Sequence, residues 1–132
     1  MEIWQLTAIE LASSISKGEI SAVDATQSHL SRMNETNQKI NAVVEGCQGE
    51  ALREAEQVDA NLRKGLQLGP LAGVPVTVKV NVDQEGYATT NGLQLQKDLV
   101  AQKDNPDATA AAAPPDDPPG VTNGFRGFFV CP

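Results

Sequence analysis

Helices and strands alternate along this chain of 132 residues, and that order predicts an α/β or α+β architecture. Two further observations support it. Three stretches in the first half carry apolar residues at three- and four-residue spacing behind recognisable caps, which is helical periodicity. Then Val74, Val76, Val78 and Val80 alternate with Pro75, Thr77 and Lys79, which is the period of a strand with one apolar face.

The first helix opens on Thr7-Ala8-Ile9-Glu10. That is a capping box, in which Thr7 accepts from the third backbone N–H and Glu10 reaches back. The helix should run to about Lys17, with Ile9, Leu11, Ala12 and Ile15 facing inward. Gly18 stops it, and Lys17 sits favourably at the negative end of the dipole. Ser21-Ala22-Val23-Asp24 is a second cap of the same type. Val23, Thr26, Leu30, Met33 and Asn37 follow at helical spacing, so a second amphipathic helix reaches about Asn37. His29, the only histidine, lies beside that stripe and reads as a surface or partly buried side chain rather than a base or ligand.

Ile40 to Glu45 reads as a short strand centred on Val43-Val44, with Gly46 and Gly49 bracketing a turn. Glu50 to Lys64 is a third helix, with Leu52, Ala55, Val58 or Asp59, and Leu62 as its stripe. Glu50, Glu54 and Glu56 crowd its start and Arg63-Lys64 its end, as the dipole favours, and Gly65 is its C-cap. The charges on this helix read as a solvated face.

Next comes Gly69-Pro70-Leu71-Ala72-Gly73-Val74-Pro75-Val76-Thr77-Val78-Lys79-Val80-Asn81-Val82-Asp83. Gly-Pro is a turn signal, and Pro75 lies near the strand start, where a missing ladder donor is tolerated. The alternation puts Lys79 beside Thr77 on the face opposite the valines. On these residues alone, Lys79 reads either as a solvated edge lysine or as a side chain pointed into a site. Gln84-Glu85-Gly86-Tyr87-Ala88-Thr89-Thr90-Asn91-Gly92 is loop chemistry, closed by an Asn-Gly turn signal. Tyr87 could pack against the first helices. Leu93 to Lys103 forms a weak helix or an irregular segment.

Gly69-Pro70-Leu71, Gly73-Val74-Pro75-Val76 and Val78-Lys79, with Thr89-Thr90-Asn91-Gly92 downstream, resemble the start of the amidase signature family, serine hydrolases that cleave amide bonds. The resemblance runs from about Leu6 to about Pro106. It implies an α/β fold in which N-terminal helices lead into the first strands of a large mixed sheet, here incomplete. It makes residues 1–106 the N-terminal part of an amidase-like domain. It matches Lys79 to the lysine of the family's Ser–Ser–Lys triad. It implies a small-molecule amide as the substrate of the full-length family, no cofactor, and a loop near the substrate at residues 84–92. One departure is visible: many members carry aspartate after the lysine, and here Val80 stands there, removing a carboxylate that could help orient the site.

The character changes at about Asp107, so residues 107–132 are expected to form an Ala/Pro-rich irregular or disordered tail. Six of the eight prolines lie from Pro106 onward, and four of them fall between residues 114 and 119, which excludes a helix or central strand there. The family would instead continue into a helix and a buried strand. Gly120-Val121-Thr122-Asn123-Gly124-Phe125 is similar to the Gly-x-Thr-Asn stretch that follows that strand in relatives. The interruption therefore reads as a frame error or a degenerate copy. Phe125, Phe128 and Phe129 are all the phenylalanines, and they gather where no core is evident.

Composition narrows the partners. A net charge of −7 and a pI near 4.5 argue against nucleic acid and anionic membranes, both of which require a basic surface. No apolar run reaches the length of a membrane span, and the first residues show no signal-peptide pattern. Cys47 and Cys131 match no metal spacing and are expected as free thiols in a reducing cytosol. A cytoplasmic location follows as the expectation.

Amide hydrolysis needs a nucleophile, a base and donors for the oxyanion. A lysine base working near neutral pH must titrate about three pH units below the usual value of about 10.4, which demands a buried, serine-lined pocket. In relatives both serines follow the lysine in a Gly/Ser-rich stretch. Here Ser13, Ser14, Ser16, Ser21, Ser28 and Ser31 all precede Lys79, and no glycine is followed by serine. The chain therefore carries only the lysine, and an inactive fragment is expected. The other expectation is a non-catalytic module that binds a complementary amidase fragment, or a second copy, through the strand edge near Val74 to Val80.

Overall fold

The computed structural model describes residues 2–105 and, as backbone only, 128–131. A 3-10 turn at Ile3–Gln5 leads into helix α1 (Ala8–Ser16) and helix α2 (Ala22–Ile40). Strand β1 (Glu45–Gly46), helix α3 (Gln48–Arg63) and strand β2 (Val76–Lys79) follow. A second 3-10 turn lies at Gln94–Gln96, and strand β3 is Phe128–Cys131. β3 lies between the other two strands, antiparallel to β1 and parallel to β2. The result is a helix-rich α/β arrangement, as the order of elements predicted.

Local chemistry sets the helix starts. Thr7 accepts from the Glu10 N–H, and the Glu10 carboxylate accepts from the Thr7 N–H at 2.9 Å, so the predicted capping box forms. Ser21 accepts from the Asp24 N–H at 2.9 Å. α2 has a second fastening with no local signature. Asp59, in α3, accepts from the Ala22 N–H at 2.7 Å and the Val23 N–H at 3.2 Å. One carboxylate thus satisfies two unpaired donors and puts negative charge at the positive end of α2.

The core joins Leu11 and Ile15 of α1, Ala22 and Ala25 of α2, Ala55 and Val58 of α3, and Val74 just before β2. Three of these seven are alanines, so the helices approach closely and the longer side chains of α1 fill the space above them. Burying Leu11 contributes about 1.5–3 kcal/mol.

Four sequence expectations change. Ile9 was expected inward but is 80% exposed. It lies two residues, about 200° round the helix, from Leu11, and so it cannot share the face that Leu11 and Ile15 bury. The strand from Ile40 to Glu45 does not form. α2 continues to Ile40, Asn41 ends it in the left-handed region at φ 47, and only Glu45–Gly46 pairs. The Asn37 side chain is the reason: it donates to the Val43 carbonyl and accepts from the Val43 N–H, both at 2.8 Å, and so takes the groups a strand partner would use. α3 begins at Gln48 rather than Glu50, and its buried face is Ala51, Ala55 and Val58. Finally, residues 128–131 were expected in an irregular tail and form β3. The remainder of the predicted tail, including the Ala/Pro run and Phe125, lies outside the described residues.

Candidate active site

The segment that positions Lys79 starts with two turns. The Ala72 N–H donates to the Gly69 carbonyl and the Val74 N–H to the Leu71 carbonyl, each at 3.1 Å. Gly73 sits between them at φ 82, and an added Cβ there would lie 2.9 Å from the Ala22 Cβ and 3.2 Å from the Ile15 Cγ2. Only glycine lets the chain pass this close to α1 and α2 before entering the sheet. β2 then alternates as its sequence predicts: Val76 and Val78 are half-buried, Thr77 and Lys79 exposed. Lys79 pairs in register with Cys131 of β3 and is the last residue of the strand. Its carbonyl accepts from the Val82 N–H at 2.9 Å, turning the chain away.

The stretch after that turn folds back on itself. The Thr89 hydroxyl donates to the Asp83 carboxylate at 2.6 Å, and the Asn105 N–H donates to the Asp83 carbonyl at 2.8 Å. Isolated bridges pair Glu85 with Ala101 and Ala88 with Val100. The 3-10 turn at Gln94–Gln96 is the only helical piece of Leu93–Lys103 among the described residues, so the irregular alternative holds there. Tyr87 does not reach the first two helices; its hydroxyl donates to the Glu50 carboxylate of α3.

No serine joins Lys79 on the sheet among the described residues. Ser13, Ser14 and Ser16 lie in α1, Ser21 caps α2, and Ser28 and Ser31 lie within α2. Ser21 and Ser16 already spend their hydroxyls locally, on the Asp24 carboxylate at 2.7 Å and the Ser13 carbonyl at 2.9 Å. His29 bonds through Nδ1 to the Ala25 carbonyl at 2.8 Å, a structural contact inside its own helix. Cys47 is buried at the N-cap position of α3. No three His, Cys, Asp or Glu side chains among the described residues group so as to hold a metal ion. Among those residues no helix is long and apolar enough to cross a membrane.

Sequence reasoning missed a cleft between the first half of α3 and the loop after β2. Glu50 and Glu54 line one wall, and Gln84, Glu85 and Asp104 the other. These residues are up to 54 positions apart in sequence. Only the Glu50–Tyr87 bond and the folding-back of residues 83–105 bring them together, and neither leaves a local pattern.

A family model described as Amidase matches residues 24–111. Over 104 residues the chain is 44% identical to an indoleacetamide hydrolase of Bradyrhizobium diazoefficiens, covering 79% of this chain and 20% of that protein. Over 94 residues it is 39% identical to one subunit of the glutamyl-tRNA(Gln) amidotransferase of Streptomyces coelicolor, covering 71% of this chain and 19% of that protein. Among solved structures, the peptide amidase of Stenotrophomonas maltophilia aligns with a TM-score of 0.65 at 30% identity, over 76% of this chain and 21% of its own. Fatty acid amide hydrolase aligns with a TM-score of 0.78 at 24% identity, over 98% of this chain and 21% of its own, a likeness of fold alone. The chain thus spans about a fifth of the length of the curated relatives it matches.

Proposed function

The chain belongs to the amidase signature family, and from that membership we propose that it is the N-terminal portion of an amide-bond hydrolase, in which Lys79 is the base of a Ser–Ser–Lys triad. The observation that carries the proposal is the placement of Lys79: last in β2, on the face opposite the half-buried valines, directly after the Gly73 passage that packs the strand on the helices. The substrate class is a small amide, a reading supported by the likeness to an indoleacetamide hydrolase, and the setting is cytoplasmic.

The same placement supports the proposal that these 132 residues alone do not hydrolyse amides. A lysine that accepts a proton near neutral pH must be walled off from water. Lys79 is exposed, and every serine of the chain sits in or beside α1 and α2. The serines, the oxyanion donors and the pocket walls would have to come from other polypeptide.

The test is a hydrolysis assay on small primary amides. The chain alone should show no turnover above buffer. A polypeptide supplying the Gly/Ser-rich stretch of a relative should restore it, and Lys79→Ala should then lower the restored rate by about a hundredfold or more, the contribution of a positioned base. Turnover by the isolated chain, or restored turnover indifferent to Lys79, would overturn the reading. Sequencing the gene across codons 100–132 and beyond tests the frame-error origin of the Ala/Pro stretch: a second frame should lead into such serines.

A second reading, a non-catalytic module that pairs with a complementary amidase fragment, is favoured by uncovered apolar side chains. Leu66, Leu93, Leu95 and Leu99 are each more than half exposed. Co-purification of the tagged chain with a polypeptide carrying the Gly/Ser-rich motif, without restored turnover, would support it.

A further inference from the structure

The cleft between α3 and the loop after β2 has a volume of about 350 Å³ and a charge imbalance. Four carboxylates face it, from Glu50, Glu54, Glu85 and Asp104, against the single guanidinium of Arg53. Arg53 approaches Glu50 only to 3.9 Å, and the two side chains are 73% and 51% exposed, so this pair is screened and stays at the rim. The remaining carboxylates leave the cleft net negative.

Two bonds give the cleft a fixed shape. The Tyr87 hydroxyl holds the Glu50 carboxylate from across the opening. The Asp104 carboxylate accepts from the Glu85 N–H at 2.8 Å, which pins the opposite wall.

The second, independent observation is Gln84. It is only 5% exposed, yet it lines the cleft, and no hydrogen bond from a described residue reaches its side-chain amide. A buried amide keeps its acceptor and donors unmet only at a cost to the fold, so it marks a place where an incoming group can complete it. The acids do not converge tightly enough to hold a metal ion. Carboxylates spread round a cleft suit a cation whose own donors are spread.

We propose that this cleft binds an alkylguanidinium or alkylammonium group. The Gln84 carbonyl oxygen accepts from the cation's N–H, and the carboxylates of Glu54 and Glu85 carry the opposing charge. The inference does not depend on Lys79 or on amide hydrolysis.

The test is an NMR titration of the full, isotopically labelled chain at low ionic strength with agmatine, with N-acetylarginine amide and with the uncharged control butylurea. Both cations should give saturable shifts confined to the first half of α3 and to residues 84–87, and butylurea should give none. Tighter binding of agmatine would identify a free amine as the ligand. Tighter binding of the arginine amide would identify a polypeptide side chain. Gln84→Leu should weaken binding about tenfold, the usual loss of one hydrogen bond to a charged group. If that variant fails to fold, Glu85→Gln on the exposed loop decides, with a severalfold weakening expected. Shifts scattered over all acidic residues, absence of saturation, or unchanged binding in Glu85→Gln would overturn the proposal.

Discussion

In the helical layer Leu11 and Ile15 are each 1% exposed, and the alanines of α2 and α3 beneath them are fully buried. Between residues 93 and 100 the arrangement is opposite: Leu93, Leu95, Leu99 and Val100 keep 54%, 99%, 56% and 44% of their surface in water. The first region finds its apolar partners within itself. The second is held by backbone bonds and by polar ties such as Thr89 to Asp83, and its leucines contribute nothing to a core. Hydrogen bonds exposed to water stabilise little on balance, whereas apolar burial is the main favourable term. The helices are therefore a self-supporting half, and the loop after β2 has the character of a surface awaiting cover.

The largest test of that contrast is one substitution made in both regions. Leu11→Ala should destabilise by about 2–5 kcal/mol, because it removes buried methyl groups and leaves a void. Leu95→Ala should change stability by less than about 0.5 kcal/mol. Urea midpoints compare the two directly. Similar costs at both positions would mean that Leu95 is covered in solution, by a second copy or by another part of the chain, and the contrast would fail.

A smaller effect probes the seam between the two halves. Gly73 and Gly86 both have φ above 80°. Gly86→Ala meets nothing within 4 Å, so its cost is left-handed strain alone, about 1 kcal/mol. Gly73→Ala adds the contact at 2.9 Å with Ala22, and should cost about 1–3 kcal/mol more. Equal costs for the two variants, read by thermal melting, would show that β2 does not press on the helices as tightly as the backbone places it.

How much of this was legible in the sequence follows the same division. The Thr7 and Ser21 caps and the alternation of β2 depend on residues within four positions, and all of them form as written. The exposure of Ile9 was the local error, since one turn of helix cannot tell which of several apolar residues will meet a partner. The misread strand at Ile40–Glu45 failed because a single side chain, Asn37, supplied the bonds of an absent strand. The Asp59 cap on α2 spans 37 positions and the cleft more than that, and neither leaves a periodic trace. β3 was hidden for a related reason: four residues in a Pro-rich setting pair with β2 from 52 positions away, and no turn signal announces so long a parallel connection. Lys79 was found through the resemblance of the whole segment. Its alternation alone fitted a solvated lysine equally well.

The smallest effect belongs to the capping box and separates local from tertiary stabilisation by its pH dependence. The Thr7 N–H, and then the Thr7 hydroxyl at 2.8 Å, bond the Glu10 carboxylate and hold it below its ordinary value of 4.5. A carboxylate favoured in its charged form by the folded state contributes stability that is fully present above 4.5. It is lost as the pH falls through the lower folded value, where protonation removes the acceptor. Glu10 is fully solvated, so the contribution is slight and belongs to the N-terminus of α1. Hydrogen exchange at the first amides of α1 is the suitable readout. Their protection should decline as pH falls below about 4.5 in the parent chain, and Glu10→Gln should flatten that decline while Leu11→Ala should not. A decline that persists unchanged in Glu10→Gln would place its cause in another carboxylate, with Asp59 at the start of α2 the first to examine, and would make even this end of α1 dependent on tertiary rather than local bonds.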